Sequence, residues 1–360
     1  MTSLESLGWN PFFEAQRDPA ADAGLAPVRI IEEQRDSYRA MGEGGVYFAR
    51  LAGQLRHQIE SDAAARPCVG DWAMARVPER GAEHGDALLQ RVFWRKTKFS
   101  RTEAGARSVE QVIAANIDTV FLVQSLNHDL NLRRLERYLA LLWESGAEPV
   151  VVLSKADLCG DPAPLAEKVA ASARGVAVHV VRAMEPGGLE PLRPYVRPGR
   201  TVALVGSSGV GKSTIVNRFV GEEILATRDI RDDGRGRHAT TSRHLLLLSE
   251  GGMLLDTPGM RELLMWDGQE GLSRTFQDVE AVVANCRFSD CGHEEEPGCA
   301  VRDALESGEL DAGRYRSYLK LKREVIHQAA KTDIRVRRAE QERWKKIHRA
   351  ARQRPDKRRI

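Results

Sequence analysis

The pattern of hydrophobic and polar residues divides the chain near residue 113. Between about residues 28 and 112, short apolar and polar alternations are broken by turn residues, as in GGVYFARLAG and PCVGDWAMARV. Short strands at such intervals are typical of a small β-barrel or sandwich. After residue 113, nearly continuous apolar runs alternate with leucines at helical spacing. This second rhythm predicts parallel strands covered on both faces by helices, a doubly wound α/β architecture.

Four apolar runs carry the α/β prediction. Leucines that recur at helical spacing follow the first run, and Gly146 supplies a helix stop before the second. The runs are Asp118–Gln124, Pro149–Leu153, His179–Val181 and Thr201–Val205.

Length and composition set broad limits. The chain has 360 residues, of which 42% are hydrophobic and 29% charged, so we expect two or three globular units. It contains no run of about 18 apolar residues and begins without a basic-then-apolar signal pattern, which predicts a cytoplasmic protein that does not enter a membrane. Residues 1–27 are acidic and polar, and we expect them to form a flexible leader.

Positive charge is concentrated at the C-terminal end. Residues 331–360 hold thirteen Lys or Arg and four Asp or Glu, a balance of +9, so the first 330 residues carry −6 of the total +3. Such a basic end favours a polyanionic partner, most plausibly nucleic acid. The alternative is a solvated helix face, which would have the same composition.

Cations and aromatic residues are interleaved near the end of the predicted barrel. This pattern suits irregular RNA, because rings stack on bases and cations meet phosphates; a half-buried strand with a basic face is the alternative. The residues are Arg91, Phe93, Trp94, Arg95, Lys96, Lys98, Phe99 and Arg101.

The strongest chemical motif is Gly206–Ser213, which matches the phosphate-loop pattern GxxxxGK[ST]. It follows an apolar strand and opens a helical run, where backbone N–H groups and the helix N-terminus attract phosphate. Lys212 is predicted to act in catalysis by neutralising the β and γ phosphates, and Ser213 to bind Mg²⁺. The predicted nucleotide contacts are Gly206, Ser207, Ser208, Gly209, Val210, Gly211, Lys212, Ser213 and Thr214.

A second phosphate motif lies downstream, where an apolar run ends in Asp256-Thr-Pro-Gly259. Asp256 is predicted to hold Mg²⁺ through water, and the Gly259 N–H to meet the γ phosphate. The polar stretch 228–241 between the motifs is expected to be mobile until ligand orders it. Thr240 or Thr241 could close over Mg²⁺ there, and spacing alone does not choose between them.

The residue after this motif is Met260, where many GTPases have a glutamine that orients the attacking water. A thioether cannot do this, so either another group orients the water or hydrolysis is slow. His238 is the obvious substitute, because imidazole can orient or deprotonate water near neutral pH. A merely solvated loop histidine is the alternative.

The motif Ser154-Lys155-Ala156-Asp157 follows the strand Pro149–Leu153 and resembles the guanine-reading NKxD loop. A carboxylate at Asp157 accepts hydrogen bonds from guanine N1–H and its exocyclic amine, and the Lys155 stem packs along the base. Ser154 stands where asparagine is usual, and we expect this exchange to weaken a hydrogen bond that braces the loop.

The guanine-reading motif precedes the phosphate loop, whereas ordinary GTPases place it after. Ligand loops of open α/β sheets gather at the carboxyl ends of the strands, so this circular permutation leaves the site intact. It also joins the end of the switch region directly to the segment that follows.

That segment contains three cysteines and a histidine, whereas Cys68 and Cys159 stand alone. Three thiolates and an imidazole make a closed tetrahedral set that is typical of structural zinc. Three free cysteines beside a chance histidine remain the alternative. The predicted ligands are Cys286, Cys291, His293 and Cys299.

With these motifs the chain resembles the ribosome small-subunit-dependent GTPase A family, known as RsgA, over about residues 28–320. The resemblance rests on SKAD, GSSGVGKST and DTPGM in permuted order, GRGRH before the switch threonines, VGDW at 69–72 and CxxxxCxHxxxxxC. It implies a multidomain fold: a β-barrel of the OB-fold, an α/β circularly permuted phosphate-loop GTPase domain and a small zinc-binding α-helical domain. The corresponding ranges are a leader at 1–27, an RNA-binding OB-fold at 28–112, the GTPase domain at 113–280 and the zinc-binding domain with a basic helical tail at 281–360.

The resemblance also implies a function: hydrolysis of GTP to GDP and phosphate in late maturation of the small (30S) ribosomal subunit, stimulated by that subunit. It supports a catalytic role for His238. Because Ala239 replaces the first threonine of the usual HTTT, Thr240 becomes the better magnesium ligand, beside Ser213 and Asp256. The second guanine loop, usually Ser-Ala, is represented only by Arg182-Ala183.

The expected partners are GTP or GDP with Mg²⁺, one structural zinc ion, and the small subunit with its rRNA; we expect a monomer. Two other functions stay open on the residues alone. One is an RNA-binding module whose nucleotide site is structural, and the other is an ATP-using enzyme on the same phosphate loop.

Overall fold

The structure is a computed structural model that describes residues 3–34, 37–78, 86–102, 110–126, 130–221, 243–256 and 268–332. Within these ranges no helix is both long and apolar enough to cross a membrane.

The N-terminal half contains a closed five-stranded barrel. Its strand order is β1-β2-β3-β5-β4, and β4 pairs back onto β1 to close it, with β3 and β5 parallel. Val28, Ile30 and Leu89 fill the interior, and Leu55 of the intervening helix covers it. This topology confirms the predicted OB-fold. The elements are β1 Ala26–Glu33, β2 Tyr38–Gly42, β3 Gly45–Leu51, α2 Gly53–Ser61, β4 Trp72–Arg76 and β5 Ala87–Val92.

A two-stranded ribbon, β6 Lys98–Thr102 and β7 Glu110–Ala115, leads from the barrel to the next unit. The VGDW motif fastens the barrel to this ribbon. A Cβ on Gly70 would lie 2.0 Å from the Ala115 carbonyl oxygen, so only glycine permits this approach. Asp71 is fully buried and binds Arg95 through two hydrogen bonds of 2.8 and 2.7 Å. The motif is therefore structural.

The second unit is the predicted α/β sheet, with strand order β10-β9-β8-β11-β13-β12. The first five strands are parallel and β12 is antiparallel to β13. The residues of the parallel strands are almost all apolar, because helices cover both faces of the sheet. The elements are β8 Thr119–Ser125, α3 Leu132–Glu144, β9 Glu148–Ser154, α4 Ala163–Ser172, β10 Ala177–Val180, β11 Thr201–Val205, α5 Lys212–Val220, β12 His244–Leu247 and β13 Met253–Asp256.

Barrel and α/β sheet are joined edge to edge. Strand β1 pairs antiparallel with β12 at Glu32 and His244, so the two sheets form one of eleven strands. The His244 ring lies 3.4 Å from a Glu32 carboxylate oxygen. Burial opposes ionisation of Glu32, but hydrogen bonds to His244 and Gln34 and the charges of His244 and Arg39 together outweigh it and lower the Glu32 pKa to about 2.

The prediction of a flexible leader over 1–27 is wrong for its described part. Residues Glu5–Leu7 form a 3₁₀ turn, and α1 (Pro11–Glu14) is capped by the Asn10 side chain. Leu7, Trp9 and Phe13 are buried, and the Trp9 ring packs edge-on against Trp72 and Phe93. The apolar side chains of this segment are part of the main core.

Burial of the aromatic run also corrects an expectation. Phe93 and Phe99 are 3% and 2% exposed and belong to the core, so they cannot stack on bases. Trp94 is 80% exposed. Most neighbouring cations are paired: Arg91 with Asp22, Arg95 with Asp71, Lys96 with Asp118 and Lys98 with Glu110.

Arg29 lies where leader, barrel and α/β sheet meet. It is 1% exposed and donates to the carbonyl oxygens of Leu7 and Asn116 and to the Thr201 hydroxyl. Burial lowers the Arg29 pKa to about 10, which leaves the side chain charged at neutral pH. Since Thr201 opens β11, this arginine ties the barrel to the strand that leads into the phosphate loop.

The C-terminal unit packs on α3 through Arg314. This side chain is 6% exposed and donates to both carboxylate oxygens of Asp278, to Glu136 of α3 and to the carbonyl oxygens of Thr275 and Ser172. The predicted boundary at 280/281 falls inside a helix, and that at 112/113 inside β7. The helices are α6 Gln269–Thr275, α7 Gln277–Ala284, α8 Ala300–Ser307 and α9 Ala312–Thr332.

Candidate nucleotide site and metal centre

The phosphate loop lies between β11 and α5, as predicted. The Lys212 ammonium group bends back over the loop and donates to the carbonyl oxygens of Gly206 and Ser207 at 2.8 and 2.5 Å. Ser213 and Thr214 lie in the first turn of α5. Cation, hydroxyls and helix N-terminus are therefore brought together at one edge of the sheet, where a polyphosphate would be held.

Two glycines are required by the geometry of the loop. Gly206 has φ 151°, and a Cβ there would lie 2.3 Å from the Val123 carbonyl oxygen of β8. Gly211, with φ 96°, precedes α5 and would place its Cβ 3.6 Å from the Ser154 hydroxyl. A side chain at Gly206 would displace the loop from the sheet, and at Gly211 would strain it.

Ser154 braces the guanine-reading loop against the phosphate loop. Its hydroxyl donates to the Val210 carbonyl oxygen at 2.6 Å and lies 3.3 Å from that of Gln124. Because Ser154 is 2% exposed, water competes little for this bond. The serine thus supplies the loop-bracing hydrogen bond that we expected to be weakened.

Lys155 and Asp157 follow Ser154 directly. Lys155 has φ 58° and ψ 34°, a left-handed conformation that a lysine adopts at a cost of order 1 kcal/mol. The chain then forms a 3₁₀ turn, Ala156–Leu158, that leaves Asp157 exposed. The Ala156 N–H donates to the Val181 carbonyl oxygen, which places Arg182 and Ala183 beside this loop. A strained residue at a loop tip beside a free carboxylate is typical of a binding site.

Asp256 ends β13, the parallel neighbour of β11. Its backbone therefore reaches the same edge of the sheet as the phosphate loop. The predicted residues His238, Thr240, Thr241, Gly259 and Met260 lie outside the described residues.

The four predicted zinc ligands come together. One ligand atom from each of Cys286, Cys291, His293 and Cys299 lies within 4.8 Å of the others. His293 Nδ1 is 3.5 Å from the Cys286 sulfur and 3.6 Å from that of Cys299. Tetrahedral zinc, with bonds of about 2.3 Å to sulfur and 2.0 Å to nitrogen, separates such ligands by about 3.5 Å. The cluster therefore fits one closed zinc site.

The protonation of His293 favours the same ligand set. Burial lowers its pKa below the ordinary value, so the imidazole is neutral at pH 7, which is the form that binds metal. The backbone at His293 has φ 61°, which turns the ring back toward the cysteines.

Comparison with known proteins identifies the family of this chain. A family described as RsgA GTPase matches residues 92–266. A relative from Opitutus terrae, the small ribosomal subunit biogenesis GTPase RsgA, is 42% identical over 359 residues, 98% of each chain. The chain belongs to the RsgA family. Solved structures share the fold: YjeQ from Thermotoga maritima aligns with a TM-score of 0.61 at 25% identity over 84% of this chain and 99% of its own. YloQ, titled a circularly permuted GTPase, aligns with a TM-score of 0.59 at 24% identity over 84% and 95%.

RsgA membership makes the chain a GTP-hydrolysing enzyme, and a GTPase uses Mg²⁺ with its nucleotide. Two structural roles near this site could not be predicted from the sequence: that of Ser154, which was predicted only as part of the guanine-reading loop, and that of Arg29, which lies outside the site. The bracing role of Ser154 was missed because serine was compared with the usual asparagine. The sequence does not show that the Ser154 hydroxyl lies within hydrogen-bonding distance of the Val210 carbonyl oxygen. Arg29 was missed because an isolated arginine in a strand pattern is normally exposed.

Zinc content tests the metal centre. We expect the purified chain to hold about one zinc ion, and Cys299→Ser, or a strong chelator, to remove it and unfold the C-terminal helices. Metal analysis and far-ultraviolet circular dichroism measure both effects. Cys159→Ser is the matched control, because Cys159 lies outside the cluster. A zinc-free chain with native helix content would contradict the assignment.

Proposed function

We propose that this chain is a late-acting assembly factor of the small (30S) ribosomal subunit, and that the subunit stimulates its GTP hydrolysis. The observation that carries the proposal is the hydrogen bond from Ser154 to Val210, because it joins the guanine-reading loop to the phosphate loop. A nucleotide that spans the two loops would have its base recognised by one loop and its phosphates by the other. The relative from Opitutus terrae is named for small ribosomal subunit biogenesis, which supplies the partner.

The proposed nucleotide contacts are divided by chemistry. Ser154, Lys155 and Asp157 select guanine, whereas the phosphate loop, Gly206 to Thr214, holds the phosphates with Lys212 as the catalytic cation. Ser213, Thr240 and Asp256 would hold Mg²⁺, which lowers the charge on the phosphates during hydrolysis. The Gly259 N–H would meet the γ phosphate.

We assign the water-orienting role to His238. The residue after DxxG is Met260, which leaves this task without its usual glutamine. Imidazole can accept a proton from water near neutral pH.

The proposed division of labour follows the three units. The barrel at 28–112 and the basic tail within 281–360 would contact rRNA, and the unit at 113–280 would turn over GTP. Residues Cys286, Cys291, His293 and Cys299 would hold one structural zinc ion. The protein would act as a monomer in the cytoplasm.

A titration of GTP turnover with purified small ribosomal subunits tests the function. We expect turnover to rise steeply with subunit concentration and to saturate, because docking would align His238 with the attacking water. Large ribosomal subunits are the control and should have no such effect. Turnover that is independent of small subunits would favour the alternative, an RNA-binding module with a structural nucleotide site.

The same titration tests His238. In His238→Ala we expect unchanged nucleotide affinity, and stimulated turnover about ten- to a thousandfold lower, the range of one positioned acid-base group. His57→Ala, at an exposed histidine of α2, is the matched control. Equal turnover in both variants would remove His238 from the mechanism.

A further inference from the structure

A cationic groove of about 470 Å³ lies between α3 and α9, apart from the nucleotide site. Helix α3 belongs to the α/β unit and α9 to the C-terminal unit, so the groove follows the seam between them. Its charged lining consists of Arg133, Arg134, Arg137, Arg316 and Lys320.

Acidic residues neutralise one wall of the groove. Arg133 pairs with Glu136 at 2.6 Å and with Asp311, and Arg137 pairs with Glu324. The Glu136 carboxylate is also bound by Arg314 at 3.0 Å, so it balances two arginines. Asp278 in turn balances Arg314, so the α3 wall is largely neutralised and the positive potential of the groove comes mainly from α9.

The α9 wall carries Arg316 and Lys320, both exposed. Among the described residues neither has an ion pair within 4.0 Å. They are four residues apart on one helix, about 6 Å along its axis, so like charges lie side by side. Such a pair of like charges destabilises a helix, and an anion bound between them would offset the repulsion.

Polar groups complete the lining. Asn131 and Ser317 contribute an amide and a hydroxyl, and Gly313 also lines the groove. Leu321 contributes the apolar surface, and its side chain is only 3% exposed. Such a surface offers hydrogen-bond donors and positive charge but no aromatic ring for stacking. It suits phosphate groups rather than bases.

Helix α9 leads in sequence into the basic end of the chain. It ends at Thr332, and residues 331–360 hold thirteen Lys or Arg against four Asp or Glu. Arg316 and Lys320 therefore lie on the helix that precedes this basic segment in the sequence. Such a run of positive charge favours an extended polyanion over a small anion as the partner.

We propose that this groove binds the phosphate backbone of RNA, with Arg316 and Lys320 as its principal contacts. The partner rests on the proposed function, which makes rRNA of the small subunit the available polyanion. The groove lies at the seam of the α/β and C-terminal units, so bound RNA would clamp one against the other.

Binding of small-subunit rRNA to the full chain, measured over a range of salt concentrations, tests the groove. In the double variant Arg316→Gln with Lys320→Gln we expect affinity to fall about tenfold at low salt. The slope of log K against log salt should become shallower by about 1.4 to 1.8, for two lost phosphate contacts. GTP turnover without RNA should not change.

The matched control is Lys168→Gln with Arg197→Gln, which removes equal charge from two exposed positions far apart in sequence. If the two double variants have equal RNA affinity and an equal slope of log K against log salt, the groove does not bind RNA. Wild-type turnover that ignores small subunits would overturn the proposed function instead, whatever the RNA measurement gives.

Discussion

Lys212→Ala is expected to lower the affinity for GTP and GDP by about 100- to 1000-fold. The ammonium group lies over the phosphate loop, where it donates to Gly206 and Ser207. With nucleotide bound it would exchange these carbonyls for phosphate oxygens. Two hydrogen bonds between charged groups contribute about 3–5 kcal/mol together, which gives this range. Equilibrium titration with a fluorescent GDP analogue measures the loss.

Lys168→Ala is the control for this loss, because Lys168 is an exposed lysine of α4. Both variants should keep the wild-type melting temperature in the absence of nucleotide. Retention of tight GDP binding by Lys212→Ala would mean that Gly206–Ser213 is a structural turn.

Asp157→Asn is expected to change the base that the protein prefers. The asparagine amide cannot accept both guanine N–H groups, so GTP affinity should fall about 100-fold, as expected for a lost charged pair of hydrogen bonds. Xanthosine triphosphate carries a carbonyl in place of the exocyclic amine and should become the better ligand. Competition between the two nucleotides measures the change.

The neighbouring Asp161→Asn serves as the control, since Asp161 is exposed and its Oδ1 oxygen only caps Ala163. It should keep the preference for GTP. If ATP competes as well as GTP in the wild-type chain, Ser154–Asp157 does not read guanine, and the ATP-using alternative gains.

The α/β unit was predictable because its sequence patterns are local and redundant. The strand Thr201–Val205 is wholly buried and apolar after Thr201, and glycines follow at the positions where the backbone must approach phosphate. The guanine-reading loop was predicted from the buried strand that precedes Asp157, because the short motif Ser154–Asp157 alone is not specific. Both loops lie at the carboxyl ends of strands, as the topology of open sheets requires.

The leader shows where such patterns fail. Trp9 and Phe13 stand in an acidic, polar stretch too short to show a period, so composition predicted disorder. Their burial depends on Trp72 and Phe93, more than 50 residues away. Contacts across such sequence distances leave no local signature.

The buried ion pairs could not be predicted either, because their partners are also far apart in the sequence. Arg314 lies on a basic amphipathic helix, where its neighbours Arg316 and Lys320 are exposed. Only the tertiary structure brings Asp278 and Glu136 to its guanidinium. The sequence predicted a polyanion-binding surface in the basic tail. It could not predict the groove, because the groove needs α3 as a second wall beside α9.

The edge-to-edge pairing of β1 with β12 has a mechanical consequence. Helix α5 ends at Val220, and β12 begins at His244, which pairs with Glu32 of the barrel strand β1. The phosphate loop precedes α5, whereas β12 is joined to the barrel. A shift of the barrel relative to the phosphate loop would therefore change the distance between Val220 and His244, so binding at either unit would act on the same pair of chain positions.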